Sequence, residues 1–275
     1  MISFSVRRWL ALAGLSGAVV LAGCAAVQTT SSGAVGIERK QYMSSLVSEQ
    51  QLQQEAATQY STLISQARVQ GALDVNAAQT RRVQTIARRL IAQVGVFRPD
   101  AAQWNWQVHV LKSSDVNAWC MPGGKIAVYT GLIEQLKASD AELAAVIGHE
   151  IAHALREHTR EQVSQKMAAN VGLSVLAVVT GSQATADLGG TLTEVMFTLP
   201  NSRTHEIEAD RMGVELAARA GYDPYAAVTL WEKMGSLGGG GQPEFLSTHP
   251  SASTRIADLK GIAAQMMPLY QQSRR

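Results

Sequence analysis

Residues His149-Glu150-Ile151-Ala152-His153 have the side chains and the spacing of half a zinc hydrolase site. Positions i and i+4 of a helix share one face, so the two imidazoles can bind one metal ion. Glu150 lies beside that pair, where its carboxylate can accept a proton from water at the metal. A structural histidine pair on a helix would show the same pattern, so the interpretation depends on the rest of the chain.

A second helical segment can supply a third metal ligand. Catalytic zinc sites commonly have three protein ligands and one water molecule. Glu206 and Asp210 are again four residues apart, so their carboxylates face the same way. One of them can bind the ion, and the other can accept the free N–H of a ligand histidine. Alone, such a pair is ordinary surface charge, and only the upstream histidine motif makes it a ligand candidate.

The chain carries further short motifs between and after these two segments. In chain order they are Asn117-Ala118, Pro122-Gly123-Gly124-Lys125-Ile126, Thr130-Gly131-Leu132, and His249-Pro250 followed by Arg255. Together with the histidine motif and Glu206-x-x-Ala209-Asp210, they resemble metallopeptidase family forty-eight over about residues 75 to 265. The resemblance implies an α+β, mainly α-helical fold, a zincin-like (gluzincin) metallopeptidase domain with a small β-sheet beside the active-site helix.

The resemblance assigns roles to the residues of these motifs. The ligands that it assigns to one Zn²⁺ per chain are His149, His153 and Glu206. Asp210 is then the expected hydrogen-bond partner of His149. Glu150 is the expected general base, which accepts a proton from water and donates it to the leaving amine. The family pattern makes Glu206 the third ligand, and Glu208 is expected to face solvent.

The His249-Pro250 segment is expected to lie close to the metal. His249 is a candidate to stabilise the oxyanion, or to bind zinc directly and close the site until substrate displaces it. A loop histidine with only local hydrogen bonds is the alternative. Arg255 is expected to assist the oxyanion or to brace the loop. His158, five residues after His153, is expected to contact a ligand from outside or to lie at the surface.

Substrate binding is inferred from a strand edge. In zinc peptidases of this kind an extended peptide pairs with an exposed strand above the metal. The residues that resemble this edge are Asn117, Ala118 and Gly124. Backbone pairing needs a free extended segment, which unfolded or misassembled polypeptides offer and compact native proteins do not.

The first 23 residues resemble a bacterial lipoprotein signal. Arg7 and Arg8 precede a short apolar run, and Leu21-Ala22-Gly23 precedes Cys24. The resemblance implies cleavage before Cys24, its lipidation, and a place on the periplasmic face of the bacterial outer membrane; an ordinary secretory signal is the alternative. The chain has 24 basic and 22 acidic residues, and removal of Arg7 and Arg8 leaves 22 of each. This neutral balance gives no support to nucleic-acid binding.

Hydrophobic periodicity predicts the elements that position these residues. Helices are expected at about residues 42–67 and 75–94, and strands at 104–111 and 125–129. Ser139 with Glu142 forms a capping-box signature that opens the helix of the histidine motif. The uncharged segment 167–186 is interrupted by polar and glycine residues, so it predicts a buried helix and no membrane span. A flexible break at Gly189-Gly190 and a mobile turn at 238–241 are expected after it.

The chain is expected to divide into five parts. These are 1–23, a lipoprotein signal peptide; 24–41, the lipidated N-terminus and linker; 42–72, an N-terminal helical lead; 73–268, the zinc metallopeptidase domain; and 269–275, a C-terminal tail. Cys120 is the only cysteine besides Cys24, which excludes an intramolecular disulfide framework. Cys120 is expected to be a small buried hydrophobic residue.

The expected function is that of a lipid-anchored zinc endopeptidase acting on unfolded or misassembled envelope proteins. The chemistry follows from the motifs, and the quality-control role from the resemblance and the compartment. Expected partners are such polypeptides, a membrane through the lipid on Cys24, and envelope assembly machinery. A latent peptidase that acts mainly as a chaperone or assembly factor is the alternative, and a structural zinc lipoprotein with four closed ligands is a third.

Overall fold

Helices dominate the described residues, with two small sheets. The structure is a computed structural model that describes residues 24–180, 187–237, 243–250 and 253–274. The strands are β1 (Cys24–Val27), β2 (Gln41–Ser44), β3 (Gln107–Leu111), β4 (Ala118–Met121) and β5 (Lys125–Tyr129). The helices are α1 (Glu49–Val69), α2 (Ala77–Ile91), α3 (Thr130–Gln135), α4 (Asp140–Leu155), α5 (His158–Thr180), α6 (Leu188–Phe197), α7 (Arg203–Arg219), α8 (Ala226–Ser236), α9 (Glu244–Thr248) and α10 (Ser253–Ser273).

Helix α4, which carries the histidine motif, begins with the predicted capping box. The backbone N–H of Glu142 donates to the Ser139 hydroxyl at 3.2 Å, and the backbone N–H of Ser139 donates to the Glu142 carboxylate at 2.8 Å. These bonds satisfy donors that the first turn of a helix leaves free. Every residue of α4 from Glu142 to Leu155 is buried, so the helix forms the centre of the core.

Helix α7 crosses α4 at a contact between two glycines. A Cβ atom on Gly148 would lie 2.9 Å from the carbonyl oxygen of Gly213, and one on Gly213 would lie 2.7 Å from the backbone nitrogen of His149. The neighbouring atoms belong to backbone, so a larger residue at either position would separate the helices. This close crossing brings Glu206 and Asp210 of α7 against the histidine face of α4.

A three-stranded sheet packs beside α4. Its strand order is β3-β5-β4, with β3 parallel to β5 and β4 antiparallel to it. Strand β4 therefore lies at an edge, and all four of its residues are buried. Gly123 and Gly124 have φ angles of +78° and +81° in the turn before β5, a backbone region that favours glycine. The predicted α+β class, mainly helical with a small sheet beside the active-site helix, is confirmed.

The segment from β1 to β2 packs onto the domain. The sequence predicts a linker at residues 24–41, whereas β1 pairs antiparallel with β2 and the side chains of Val35 and Ile37 are buried in the main core. Gln41 is also buried, and its amide donates to the backbone carbonyl of Arg156. Composition misled this prediction because a few separate side chains, and no apolar run, hold the segment.

Two predicted boundaries shift because of local structure. Helix α1 begins at Glu49, several residues after the predicted start, because the preceding residues pair as β2 and Ser48 caps the helix. Strand β3 begins at Gln107, because Trp104 ends a short 3₁₀-helix and does not join the sheet. The alternation of apolar residues across that stretch extends beyond the strand itself.

The glycine-rich stretches have different outcomes. The flexible break predicted at Gly189-Gly190 is wrong, since both residues lie in helix α6. Residues 181–186 and the turn predicted at 238–241 lie outside the described residues. Within the described part of the chain, none of the helices has the length and apolar character to cross a membrane. Cys120 is buried, as predicted.

Candidate metal centre

Four side chains converge where α4, α7 and the segment after α9 meet. Each offers one ligand atom, and these atoms all lie within 4.8 Å of one another; the four residues are His149, His153, Glu206 and His249. All four are buried. Histidine nitrogen and carboxylate oxygen are the donor types that zinc accepts.

The two motif histidines present their Nε2 atoms to each other. The Nε2 atoms of His149 and His153 are 3.1 Å apart. The Glu206 carboxylate lies 3.5 Å from Nε2 of His149 and 3.4 Å from Nε2 of His153. This arrangement follows from the i, i+4 spacing on α4 and from the close crossing of α7. The structure therefore brings together the three residues that the resemblance names as ligands.

Two carboxylate oxygens in this cluster lack hydrogen-bond partners among the described residues. They are Oε1 of Glu150 and Oε2 of Glu206. Nη1 of Arg255 lies 2.7 Å from Glu206 Oε2, but this charge contact does not have hydrogen-bond geometry. Buried polar atoms without partners are costly; a cation among the ligand atoms would satisfy the Glu206 oxygen, and the Glu150 oxygen would stay available to accept a proton or a hydrogen bond. The donor set and its free oxygens fit a bound zinc ion.

The protonation of the ligands also suits a cation. Burial lowers the pKa of His153 to about 3, despite the nearby Glu206 carboxylate, so the ring is neutral at physiological pH. Burial opposes ionisation of Glu206, but His249 and His153 outweigh it and hold the pKa well below its usual value. A neutral imidazole and an ionised carboxylate are the forms that bind metal.

Asp210 and Arg255 support the ligands from outside. Oδ1 of Asp210 lies 3.0 Å from Nδ1 of His149, so this nitrogen can donate to the carboxylate. Nε and Nη2 of Arg255 donate to Asp210 at 2.7 and 2.8 Å, and Nη1 donates to the Pro250 carbonyl at 2.9 Å. Arg255 therefore connects the carboxylate behind His149 to the loop that carries His249.

His249 lies among the ligand atoms. Its Nδ1 is 3.0 Å from Oε1 of Glu206 and 3.3 Å from Nε2 of His149. Its Nε2 is 3.4 Å from Oε1 of Glu150. The ring stacks on Phe245, with centroids 4.3 Å apart. The ring therefore lies beside both the ligand atoms and the Glu150 carboxylate.

An open cleft lies beside Glu150 and His153. Strand β4 with Asn117 forms one side, and the end of α6 with Phe197 forms the other. Asn117 and Ala118 therefore line the cleft, although both residues are largely buried and not exposed as the sequence predicts. Gly124 does not line this cleft: it lies at the other end of β4, in the turn to β5, packed under the ring of Trp106.

The structure places a second buried polar group next to the metal cluster. Glu208 is buried, so the prediction that it faces solvent is wrong; α7 is covered on that side by the segment before β2. Its carboxylate accepts from Arg39, Arg156 and His158. His158 is buried too, with Nδ1 2.9 Å from Nδ1 of His153. The excess of charged residues flanking both motifs was the only sequence signal for this group.

Comparisons with known proteins agree with the site. Residues 77–263 match the sequence profile of peptidase family M48. The mitochondrial metalloendopeptidase OMA1 of Arabidopsis thaliana is 45% identical over 151 residues, which cover 55% of this chain and 30% of that protein. OMA1 of Schizosaccharomyces pombe is 36% identical over 187 residues, covering 66% of this chain and 52% of that protein. The beta-barrel assembly-enhancing protease of Escherichia coli is 28% identical over 208 residues, which cover 70% of this chain and 41% of that protein.

These matches confirm the predicted family, its enzyme class of metalloendopeptidase, and the zinc cofactor. The chain spans about a third to a half of the length of these relatives. The matches correct the predicted localisation on the periplasmic face of a bacterial outer membrane, because relatives with 45% and 36% identity are mitochondrial proteins. The four-residue motif Leu21-Ala22-Gly23-Cys24 was too short to establish a compartment.

Proposed function

The chain belongs to peptidase family M48, and on this premise we propose that it is a zinc-dependent endopeptidase that cleaves unfolded or misassembled polypeptides. One observation carries the proposal: His149, His153 and Glu206 form a buried ligand cluster, and Glu150 lies beside it at the wall of an open cleft. A purely structural zinc site needs no such cleft and no such carboxylate.

Glu150 has the environment of a general base. Burial raises its pKa, although His249 and His149 partly oppose this, and its Oε1 has no hydrogen-bond partner among the described residues. When bound, zinc polarises the scissile carbonyl and makes water a better nucleophile at neutral pH. Glu150 accepts the proton that the water loses on attacking the carbonyl carbon. It then donates this proton to the amide nitrogen as the C–N bond breaks, which leaves a carboxylate and an amine.

The cleft suits an extended substrate. Edge strand β4 lines it together with Asn117, and an extended peptide can add to such an edge through backbone hydrogen bonds. Phe197, which is half-buried and packs edge-on against the buried Trp119, offers apolar surface for a substrate side chain in the same cleft. A compact native protein does not present a free segment of this kind, which supports unfolded or misassembled polypeptides as substrates.

A latent enzyme that acts mainly as a chaperone or assembly factor is the second candidate. The position of His249 favours it, because a fourth protein ligand would occupy the place that water needs. The name of the Escherichia coli relative, a beta-barrel assembly-enhancing protease, supports incompletely assembled β-barrel proteins as the polypeptides concerned. The two candidates share the metal site and differ in whether His249 leaves it.

We also propose that lipidation of Cys24 attaches the chain to a membrane. The support is the sequence before it, Arg7-Arg8, an apolar run and Leu21-Ala22-Gly23. Wild-type protein should incorporate a labelled fatty acid in bacterial cells, and Cys24→Ser should not. Equal labelling of both forms would exclude this residue as the site.

The function is tested by zinc analysis together with cleavage of an unfolded, fluorescently labelled protein. Wild type and Glu150→Gln should each bind one zinc ion; wild type should cleave the substrate, a chelator should abolish this cleavage, and Glu150→Gln should cleave far more slowly. General-base catalysis accounts for about 10²- to 10⁴-fold in rate, so cleavage by Glu150→Gln should fall by that factor.

A third variant separates the two candidates. His249→Ala should cleave faster than wild type if this histidine closes the site. Zinc bound in all three forms, with cleavage in none, would exclude the peptidase proposal and leave the chaperone candidate.

A further inference from the structure

The ligand histidine His153 has an imidazole as its outer partner. Its Nε2 faces His149 and Glu206, so Nε2 is the atom available to a metal ion. A neutral imidazole that binds metal through Nε2 carries its proton on Nδ1. That Nδ1 lies 2.9 Å from Nδ1 of His158. Since His153 is the donor in this contact, Nδ1 of His158 must be the acceptor.

The other nitrogen of His158 completes the assignment. Nε2 of His158 lies 2.9 Å from Oε2 of Glu208, and an ionised carboxylate only accepts hydrogen bonds. The proton of His158 is therefore on Nε2, which leaves Nδ1 free to accept from His153. Each of the two contacts requires the same tautomer of His158, so the His153–His158–Glu208 triad is internally consistent.

Two arginines fix the end of this triad. Nε and Nη2 of Arg156 donate to Oε2 of Glu208 at 3.1 and 3.0 Å. Nε of Arg39 donates to the other oxygen at 2.7 Å. Arg39 lies in the segment before β2, far from the motif in sequence. The Glu208 carboxylate, which orients His158, thus accepts hydrogen bonds from Arg156 at the C-terminal end of α4 and from Arg39 in the N-terminal segment.

We propose that His158 is a positioning residue that fixes the tautomer and ring orientation of the zinc ligand His153, with Glu208 holding His158 in its accepting form. His149 contacts the carboxylate of Asp210 directly, whereas His153 is connected to the carboxylate of Glu208 through His158. Outer partners of metal-binding histidines tune metal affinity by about 10- to 100-fold. The proposal rests on the zinc site of the proposed function, and it concerns metal affinity and not turnover.

A neighbouring histidine provides a matched control. His205 stacks on His158 with ring centroids 4.3 Å apart and is equally buried. Nε2 of His205 lies 3.0 Å from Glu161, and among the described residues its ring nitrogens make no hydrogen bond to a ligand histidine. Replacement of His205 removes a buried imidazole from the same cluster and leaves the His153–His158 contact in place.

The experiment measures the zinc dissociation constant of the full chain by competition with a chelating dye. His158→Phe keeps a ring of similar shape and removes the acceptor, so zinc affinity should fall by about 10- to 100-fold. His158→Asn puts an amide oxygen near the position of Nδ1, so affinity should stay within about threefold of wild type. His205→Phe should also stay within about threefold. Circular dichroism of the metal-free proteins confirms that each variant is folded.

The outcomes separate this proposal from the proposed function. The positioning role of His158 would be overturned if His158→Phe bound zinc with wild-type affinity. It would also be overturned if His205→Phe lost as much zinc affinity as His158→Phe, because this would indicate general disturbance of the cluster. If His158→Phe does not fold, the comparison of His158→Asn with His158→Ala decides: weak binding by both would overturn the proposal. The wild type could also cleave no substrate while zinc affinity is reduced in His158→Phe and retained in His158→Asn and His205→Phe. That result would support this proposal and contradict the peptidase function.

Discussion

At the scale of single residues, Asp210 makes contacts that a change of one atom would disturb. It accepts from His149 and from two nitrogens of Arg255, all in a buried environment. Asp210→Asn keeps the shape but replaces an accepting oxygen by a donor and leaves Glu206 as the remaining charged partner of Arg255. We expect zinc affinity to fall by about 10- to 100-fold, measured by competition with a chelator.

The same pair of helices offers a control for Asp210→Asn. Arg211 and Asp258 also connect α7 to α10, but both are partly exposed and neither is near the metal cluster. Asp258→Asn should leave zinc affinity unchanged and alter stability by no more than about 1 kcal/mol. A loss of zinc by both variants would mean that the α7–α10 contact, and not the hydrogen bond to His149, controls the site.

How much of the site the sequence predicted depends on how its residues are spaced. His149, His153, Glu206 and Asp210 lie in two helical pairs, so local geometry alone places each pair on one face. The partners of Glu208 come from separate parts of the chain and are brought together by tertiary packing. No periodic pattern relates Arg39 to α7, and for that reason the sequence predicted an exposed Glu208.

At the scale of elements, the glycine contact between α4 and α7 sets the distance between the ligand pairs. Gly213→Ala would place a Cβ atom 2.7 Å from the backbone nitrogen of His149, which can move only with its helix. We expect the variant to lose about 1 to 3 kcal/mol of unfolding free energy, as overpacked cores do. Urea unfolding of the metal-free protein gives this value, and zinc affinity should fall in the same variant.

Gly235 on α8 is the matched position for this test. A Cβ atom there would meet no other atom within 4 Å. Gly235→Ala should therefore stabilise the protein by up to about 1 kcal/mol, through helix propensity and the lower entropy of the unfolded chain. If Gly213→Ala behaves like Gly235→Ala, the close crossing of the two helices is not a constraint on the site.

The cap of α4 makes stability depend on pH. Burial opposes ionisation of Glu142, but hydrogen bonds from Lys233, the Ser139 backbone and Thr229 outweigh it and lower the pKa. A lowered folded-state pKa contributes stability above the unfolded value of about 4.3, and this is lost as the pH falls through the folded value. Glu142→Gln should cost about 1 to 2 kcal/mol at pH 7 and less at pH 3, which lies below the unfolded value. Parallel losses at both pH values in urea unfolding would contradict this role.

The sequence predicted elements well where a local signal marks their ends. The Ser139–Glu142 box and strand β5 are as expected, because capping and alternation are local properties. Gly189 and Gly190 were misassigned because low helix propensity is only a weak preference, which the surrounding helix overrides. The end of β3 was predicted and its start was not, since two tryptophans before it extend the alternation without joining the sheet.

At the scale of the whole molecule, the N-terminal segment is part of the folded unit. The backbone N–H of Val35 donates to the buried carboxylate of Glu215 at 2.9 Å, and Ser31 donates to the backbone carbonyl of Phe97 at 2.8 Å. The segment thus contacts α7 and the loop after α2. A polypeptide attached to a membrane at Cys24 would then hold its catalytic domain close to that membrane, with little slack between them.

Arg39 is the residue whose loss would test this integration most directly. It bridges Glu161 on α5 and Glu208 on α7, through hydrogen bonds of 2.7 to 3.1 Å. Arg39→Met keeps much of the side-chain volume but leaves two buried carboxylates short of a cation. Breaking a buried ion pair costs about 3 to 5 kcal/mol. Because Arg39 is 30% exposed, we expect Arg39→Met to lower the free energy of unfolding by about 2 to 3 kcal/mol, measured by urea unfolding.

Arg211→Met removes a surface partner of Asp258 and should cost less than about 1 kcal/mol. Equal effects of the two substitutions would mean that the N-terminal segment rests on the domain without stabilising it, and that the carboxylate behind His158 is held by Arg156 alone.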